Sequence, residues 1–177
     1  MADIHKEVQS RMKDERNIEA ERLASEIFSS KGYNVYTPYE RKYADSLSDI
    51  KKSSDAGDIV ILNKGRVMVL EVKRLSDSNK YKNFTKAEDF KEGLFIIDSV
   101  VTYDKKSIKP TAYITFNSKM THFGYFQASQ TNPKDWGKKS IKVVQGEIDF
   151  YTVDISLIEF KEVKELLPEI EEQGSLF

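Results

Sequence analysis

Apolar residues recur along this chain with two different periods, and the changes from one to the other mark its layout. Over the first 30 residues, Ala20, Leu23, Ala24, Ile27 and Phe28 fall three and four apart, on one face of a helix, and Gly32 stands just past the end where a C-cap belongs. "YNVYTP" then reads as a short strand stopped by Pro38. Residues 39–56, "YERKYADSLSDIKKSSDA", are polar and without period, and predict a long loop of the functional or disordered kind. "DIVIL" and "VMVLEV" are rich in β-branched residues, and "NKGR" between them supplies a turn glycine, so a hairpin is expected over 57–73. After a polar connection with at least a helical turn in it, "LFIIDSVVTYD", "TAYITFN" and "HFGYFQAS" predict further strands, and "KVVQGEIDFYTVDIS" a hairpin turning near Gly146. "SLIEFKEVKELL" returns to helical spacing and ends at Pro168. The order of elements predicts an α/β or α+β domain: a mixed β-sheet core flanked by helices.

Charge enters the hairpin in an unusual place. Asp58 opens its first apolar run, and Glu71 and Lys73 interrupt the second. If Lys64 and Gly65 form a two-residue turn, opposing residues have numbers that sum to 129, which sets Asp58 across from Glu71. Side chains alternate along a strand, so Glu71 and Lys73 share a face, and in this register Asp58 joins them. Two opposed carboxylates repel, and burial raises the pKa of at least one unless a cation sits between them. A hard divalent ion, Mg2+ or Mn2+, meets that need with oxygen ligands, and Lys73 can then activate the attacking water or balance charge on a phosphate. The patch suits metal-assisted phosphodiester hydrolysis; a structural salt bridge between Glu71 and Lys73 is the alternative. The same tripeptide recurs at Glu162-Val163-Lys164, on the expected C-terminal helix, where a solvated charge pair is the natural reading.

Composition narrows the field. At 177 residues, 39% of them hydrophobic, the chain suits one packed domain, taken as 1–167, with a tail over 168–177. The absence of cysteine excludes disulfides, thiolate zinc sites, iron–sulfur clusters and cysteine nucleophiles. No run approaches the roughly 20 apolar residues that span a bilayer, and the charged N-terminus is unlike a signal peptide, so no membrane partner and a cytoplasmic location are expected. The net charge of −1 hides an asymmetry: Leu157 onward carries six glutamates against two lysines, which leaves residues 1–156 at +3. Basic clusters lie at Lys51-Lys52, at Lys80, Lys82 and Lys86, at Lys105, Lys106 and Lys109, and at Lys134, Lys138, Lys139 and Lys142. Each reads first as a solvated loop. As a nucleic-acid footprint, Lys51, Lys52, Lys80, Lys82, Lys138 and Lys139 are the candidates.

The segment "GDIVILNKGRVMVLEVK" resembles the core of the PD-(D/E)XK nuclease superfamily, which has an acidic residue at the start of one strand and (D/E)-x-K on the next; Gly57 replaces the proline of the motif's name. Within that superfamily, "AERLASEIFSSKGYNVY" is most similar to archaeal Holliday junction resolvases. The resemblance spans roughly residues 18–75. It implies a restriction-endonuclease-like fold, Mg2+ or Mn2+ held by Asp58 and Glu71, a helical acid at Glu21 that supports a metal or its water (Glu19 being the substitute), and Lys73 at the nucleophile. The second half departs from the resolvase pattern, which uses that region for dimerisation. A homodimer and a branched-DNA substrate are therefore open, beside exonuclease or restriction-type action on linear or single-stranded DNA. A non-catalytic DNA-binding or clamp-binding adaptor is a further alternative.

The remaining motifs are weaker. His122 at a strand start reads as structural, and Trp136 as an anchor that ties its loop to the core. "QGSLF" at the end resembles the short motif by which bacterial replication and repair proteins bind the sliding clamp: Gln173 hydrogen-bonds while Leu176 and Phe177 fill an apolar pocket. The expectation as a whole is a Mg2+-dependent deoxyribonuclease in replication, recombination or repair.

Overall fold

The computed structural model describes residues 15–37, 58–143 and 146–167. The predicted first helix is present there as α1 (Glu15–Ser30), whose Ala20, Ala24 and Ile27 are buried at the expected spacing. Its end is a Schellman motif: Tyr33 N–H donates to Phe28 O (3.2 Å) and Gly32 N–H to Ser29 O (2.9 Å), with Gly32 at φ +80°, where a side chain would be strained.

Among the described residues nine strands follow in two sheets. The larger has the order β1 (Asn34–Tyr36), β2 (Ile59–Asn63), β3 (Arg66–Arg74), β5 (Ala112–Phe116), β6 (His122–Phe126), β9 (Glu159–Glu162). It is mixed: β3 and β5 run parallel and every other pair is antiparallel. The smaller is antiparallel, β4 (Leu94–Ser99), β8 (Gly146–Asp154), β7 (Gly137–Val143). Helices α2 (Val100–Lys105) and α3 (Val163–Leu166) are short. The expected mixed sheet with flanking helices is the architecture found.

Each face of the larger sheet has its own cover. Ala112, Ile114 and Phe116 of β5, with Ile59, Ile61, Leu70 and Val72 of the hairpin, pack against α1. Tyr113 of β5 and Phe126 of β6 point the other way, into an aromatic cluster shared with Phe95 and Ile97 of β4 and Tyr151 and Val153 of β8. Every residue of β5 is buried, as a central strand covered on both faces must be. Trp136 belongs to this second cluster, and its Nε1–H donates to Thr131 Oγ1 (3.0 Å), which is the anchoring role read from the sequence.

Parallel β3 and β5 cannot be joined by a tight turn, so the chain from Leu75 to Thr111 crosses over the sheet and carries β4 and α2 with it. That crossover lays Asp98 and Lys106 over the face that bears Glu71 and Lys73.

Two expectations are corrected. "LFIIDSVVTYD" is a strand only to Ser99; the Ser99 hydroxyl then accepts from Thr102 N–H (3.1 Å) and starts α2, an N-cap that the continuing valines masked. "SLIEFKEVKELL" is mostly not α-helical: it starts in a 3-10 turn (Ile155–Leu157), Glu159–Glu162 add to β6 as edge strand β9, and only Val163–Leu166 turn as an α-helix. Alternation of Ile158 and Phe160 into the aromatic cluster outweighs the helical spacing. Glu162 therefore ends a strand, and it pairs with Lys164 (2.9 Å), an ordinary half-exposed charge pair as read. The long loop predicted over 39–56 falls outside the described residues.

Candidate active site

Lys64 (φ +47°) and Gly65 (φ +80°) both take positive φ, the signature of a two-residue type I′ turn, and the ladder runs from Asn63↔Arg66 to Ile59↔Leu70 with every pair summing to 129. One step further brings Asp58 to Glu71. Asp58 is buried and just off the ladder: its N–H donates to Leu70 O (3.0 Å) and its Oδ2 accepts from Val72 N–H (2.6 Å). The hairpin thus pins one carboxylate beside the next strand's Glu71.

Glu71 and Lys73 face away from α1, toward the crossover, and meet two residues to which no motif pointed. Lys106 Nζ lies 2.7 Å from Glu71 Oε2 and 3.1 Å from Asp98 Oδ2; Lys73 Nζ lies 2.9 Å from Asp98 Oδ1. Asp98 also accepts from Ser99 N–H (2.9 Å). A β-bulge aims it: the β4–β8 register slips between Ile96 and Asp98, so Ile97 has no cross-strand partner, and Lys73 Nζ takes its carbonyl (2.5 Å). The side chains alternate in sign, and Asp98 and Lys106 are almost entirely buried. Lys106, grouped by the sequence with solvated basic loops, is instead a core residue, because it sits at the C-cap of α2 against Glu71.

The charges are unevenly balanced. Burial, and then the neighbouring Asp58 charge, push Glu71 up to about 7, against the pull of Lys106 and Lys73. Burial also pushes Asp98 upward, but Lys73 and Lys106 outweigh it and hold that carboxyl below its ordinary value. Burial works against the charged form of Lys106 as well, yet Glu71 and Asp98 keep its pKa raised. Tyr113 stands in register with Glu71 across β3–β5, and its hydroxyl is buried with no hydrogen-bond partner among the described residues. Such a group costs about 1–3 kcal/mol to leave unsatisfied.

These residues fit a hard divalent cation in part. Asp58 and Glu71 supply oxygen donors, Mg2+ needs only one or two carboxylates plus waters, and a Glu71 pushed up to about 7 by burial and then by a second carboxylate is a site short of positive charge. Among the described residues, however, no three His, Cys, Asp or Glu side chains gather closely enough to hold a metal, so Glu21 is not gathered with Asp58 and Glu71. It lies half-buried on α1, the helix that covers the opposite face of the sheet. Glu19 pairs with Arg74 (3.0 Å), whose guanidinium also donates to Ser118 O.

Of the basic candidates, Lys80 and Lys139 come together: both bind Glu92, and with Tyr81, Ile141 and Lys142 they rim a cleft of about 260 Å³. Their hydrogen bonds hold the Glu92 carboxyl down to about 2. Leu94 and Ile96 line this cleft and alternate with core-facing Phe95 and Ile97, so it opens on the side of the small sheet away from Glu71. Lys138 points elsewhere, over the Tyr151 ring (5.4 Å), and Lys82 donates to Asp77 O (2.8 Å). His122 is half-buried, with Nδ1 3.1 Å from Thr121 Oγ1. Lys51, Lys52, Gln173, Leu176 and Phe177 lie outside the described residues.

Asp98 did carry a signal: it is a lone charge in the apolar run "LFIIDSVV", as Asp58 is in its own. Lys106 and Tyr113 carried none, since one looks like loop and the other like core. No protein-family model matches the chain, and no curated protein matches it at a significant level. Among the described residues no helix is long and apolar enough to cross a membrane.

Proposed function

We propose that this protein is a divalent-metal-dependent deoxyribonuclease of the PD-(D/E)XK type, working in the cytoplasm on DNA during replication, recombination or repair. The observation that carries the reading is the type I′ hairpin, which sets Asp58 beside Glu71 and leaves Lys73 on the same face. Mg2+ or Mn2+ bound there supplies Lewis-acid polarisation and a water of lowered pKa. Asp58, held by Val72 N–H, and Glu71 are the ligands that the chain offers, without Glu21, which is not gathered with them. Lys73, about a third exposed, is oriented by Asp98 and the Ile97 carbonyl and reaches solvent, so it can contact a phosphate oxygen and offset the charge that builds there. Substrate shape, four-way junction or linear and single-stranded ends, is set by surfaces beyond these residues. The tail residues Gln173, Leu176 and Phe177 are proposed to dock on a sliding clamp.

One observation favours a second reading. Lys106 already neutralises Glu71, as in a closed structural network, and a DNA- or clamp-binding adaptor without turnover would have such a site. Cleavage of end-labelled four-way junction, linear duplex and single-stranded DNA with Mg2+ or Mn2+ separates the two, using wild type and Asp58→Ala. Metal-dependent cutting that disappears in a folded variant supports the nuclease. No cutting of any substrate by folded wild type supports the adaptor.

A further inference from the structure

We propose that Lys106 is a tethered cation holding Glu71, the carboxylate that a divalent ion at Asp58 and Glu71 needs, so that metal binding and withdrawal of Lys106 from Glu71 are a single event. The inference rests on the metal-site reading above and adds a regulating residue to it. A primary ammonium within 2.7 Å of one carboxylate and 3.1 Å of another does what a bound cation does: it screens two buried anions from each other.

Charge balance favours exchange over addition. Asp58, Glu71 and Asp98 bring three negative charges and Lys73 and Lys106 two positive ones, a net of one negative charge when all are ionised. A divalent ion added to that set overshoots to a net positive charge. The same ion in place of Lys106 leaves a buried cluster that is neutral, the state a low-dielectric site tolerates best.

The surroundings are built for the exchange. If Lys106 withdraws, Asp98 keeps Lys73 Nζ (2.9 Å) and Ser99 N–H (2.9 Å), so it is not stranded. Lys73 keeps Asp98 and the Ile97 carbonyl, so its place over the site is unchanged. Lys106 follows the last turn of α2 and is flanked by exposed Lys105, Ser107 and Ile108, which gives its side chain a short route to water. A second observation points to a ligand: the hydroxyl of Tyr113, the residue in register with Glu71 on the next strand, is buried without a partner among the described residues, and a water entering with a hydrated cation can satisfy it.

The test is Mn2+ titration by calorimetry of the full chain, as wild type, Lys106→Met and Glu71→Gln. Removing the tethered competitor should tighten Mn2+ by about tenfold or more, as loss of one competing charge-assisted contact does. Glu71→Gln should abolish binding. Because a buried lysine can be needed for folding, a second measurement uses wild type alone: acetic anhydride labelling with and without Mn2+, read by peptide mass spectrometry, should show Lys106 protected without the ion and labelled with it. Mn2+ binding that depends on Glu71, with unchanged Lys106 labelling and no gain in Lys106→Met, overturns the exchange and leaves the metal site standing. No Mn2+ binding by wild type or Lys106→Met overturns both.

Discussion

Glu71 makes the stability of this protein depend on pH in a way that can be worked out from its surroundings. In the folded chain it ionises near 7, against an ordinary value of 4.5. Between those values the folded state holds a proton that the unfolded chain has released. The contribution is therefore fully present below about pH 4.5 and is lost as pH rises through about 7. At about 1.4 kcal/mol per pH unit the whole effect is about 3 kcal/mol, of which roughly 2–3 kcal/mol falls between pH 5 and pH 8. Asp98 and Lys106 leave this window clear. The Asp98 carboxyl is held below its ordinary value, so its contribution is lost only on stronger acidification, and Lys106 stays charged well above pH 8. Urea unfolding of wild type and Glu71→Gln at half-unit steps from pH 5 to pH 8, followed by the fluorescence of the sole tryptophan, Trp136, cancels the titrating groups that do not feel the Glu71 charge. The stability of wild type relative to the variant should fall by roughly 2–3 kcal/mol across the range, most of it below pH 7 and little of it above. Added Mn2+ should move that fall to lower pH, since the cation competes with the proton for the same oxygens. A difference flat to within about 0.5 kcal/mol would refute the claim that burial and Asp58 perturb Glu71.

Three further outcomes follow from local geometry. Lys64→Asn should stabilise the hairpin by about 0.5–1 kcal/mol, because asparagine tolerates the positive φ that lysine adopts there; an unchanged denaturation midpoint would remove the strain argument. Gly124→Ala should cost about 1–3 kcal/mol, since the new Cβ would lie 2.9 Å from Ile158 Cγ2 and 3.1 Å from Phe95 Cζ between the two sheets, and a neutral result would mean that this interface yields easily. Glu92→Gln should release Lys80 and Lys139 and tighten single-stranded DNA, with the salt dependence steepened by about one counterion; equal affinity in an anisotropy titration would exclude the cleft from DNA binding.

Where neighbours in sequence are neighbours in space, the chain could be read directly. The α1 stripe, its glycine cap and the register that opposes Asp58 and Glu71 all depend on contacts within about 14 residues, and local periodicity and turn chemistry decide such contacts. Periodicity failed where two patterns competed. "SLIEFKEV" satisfies helical and alternating spacing alike, and only the open edge of β6 and the aromatic cluster decide for a strand.

The site divides along the same line. Asp58, Glu71 and Lys73 were legible because charge in an apolar strand is costly enough to need a reason. Asp98, Lys106 and Tyr113 were not, because nothing between positions 71 and 113 records that the parallel pairing of β3 and β5 forces a crossover, that the crossover passes over Glu71, or that a bulge at Ile97 turns Asp98 inward. Local residue types set which carboxylates oppose one another. The long-range path of the chain set which cations reach them, since charge neutralisation acts through space and leaves no period in the sequence.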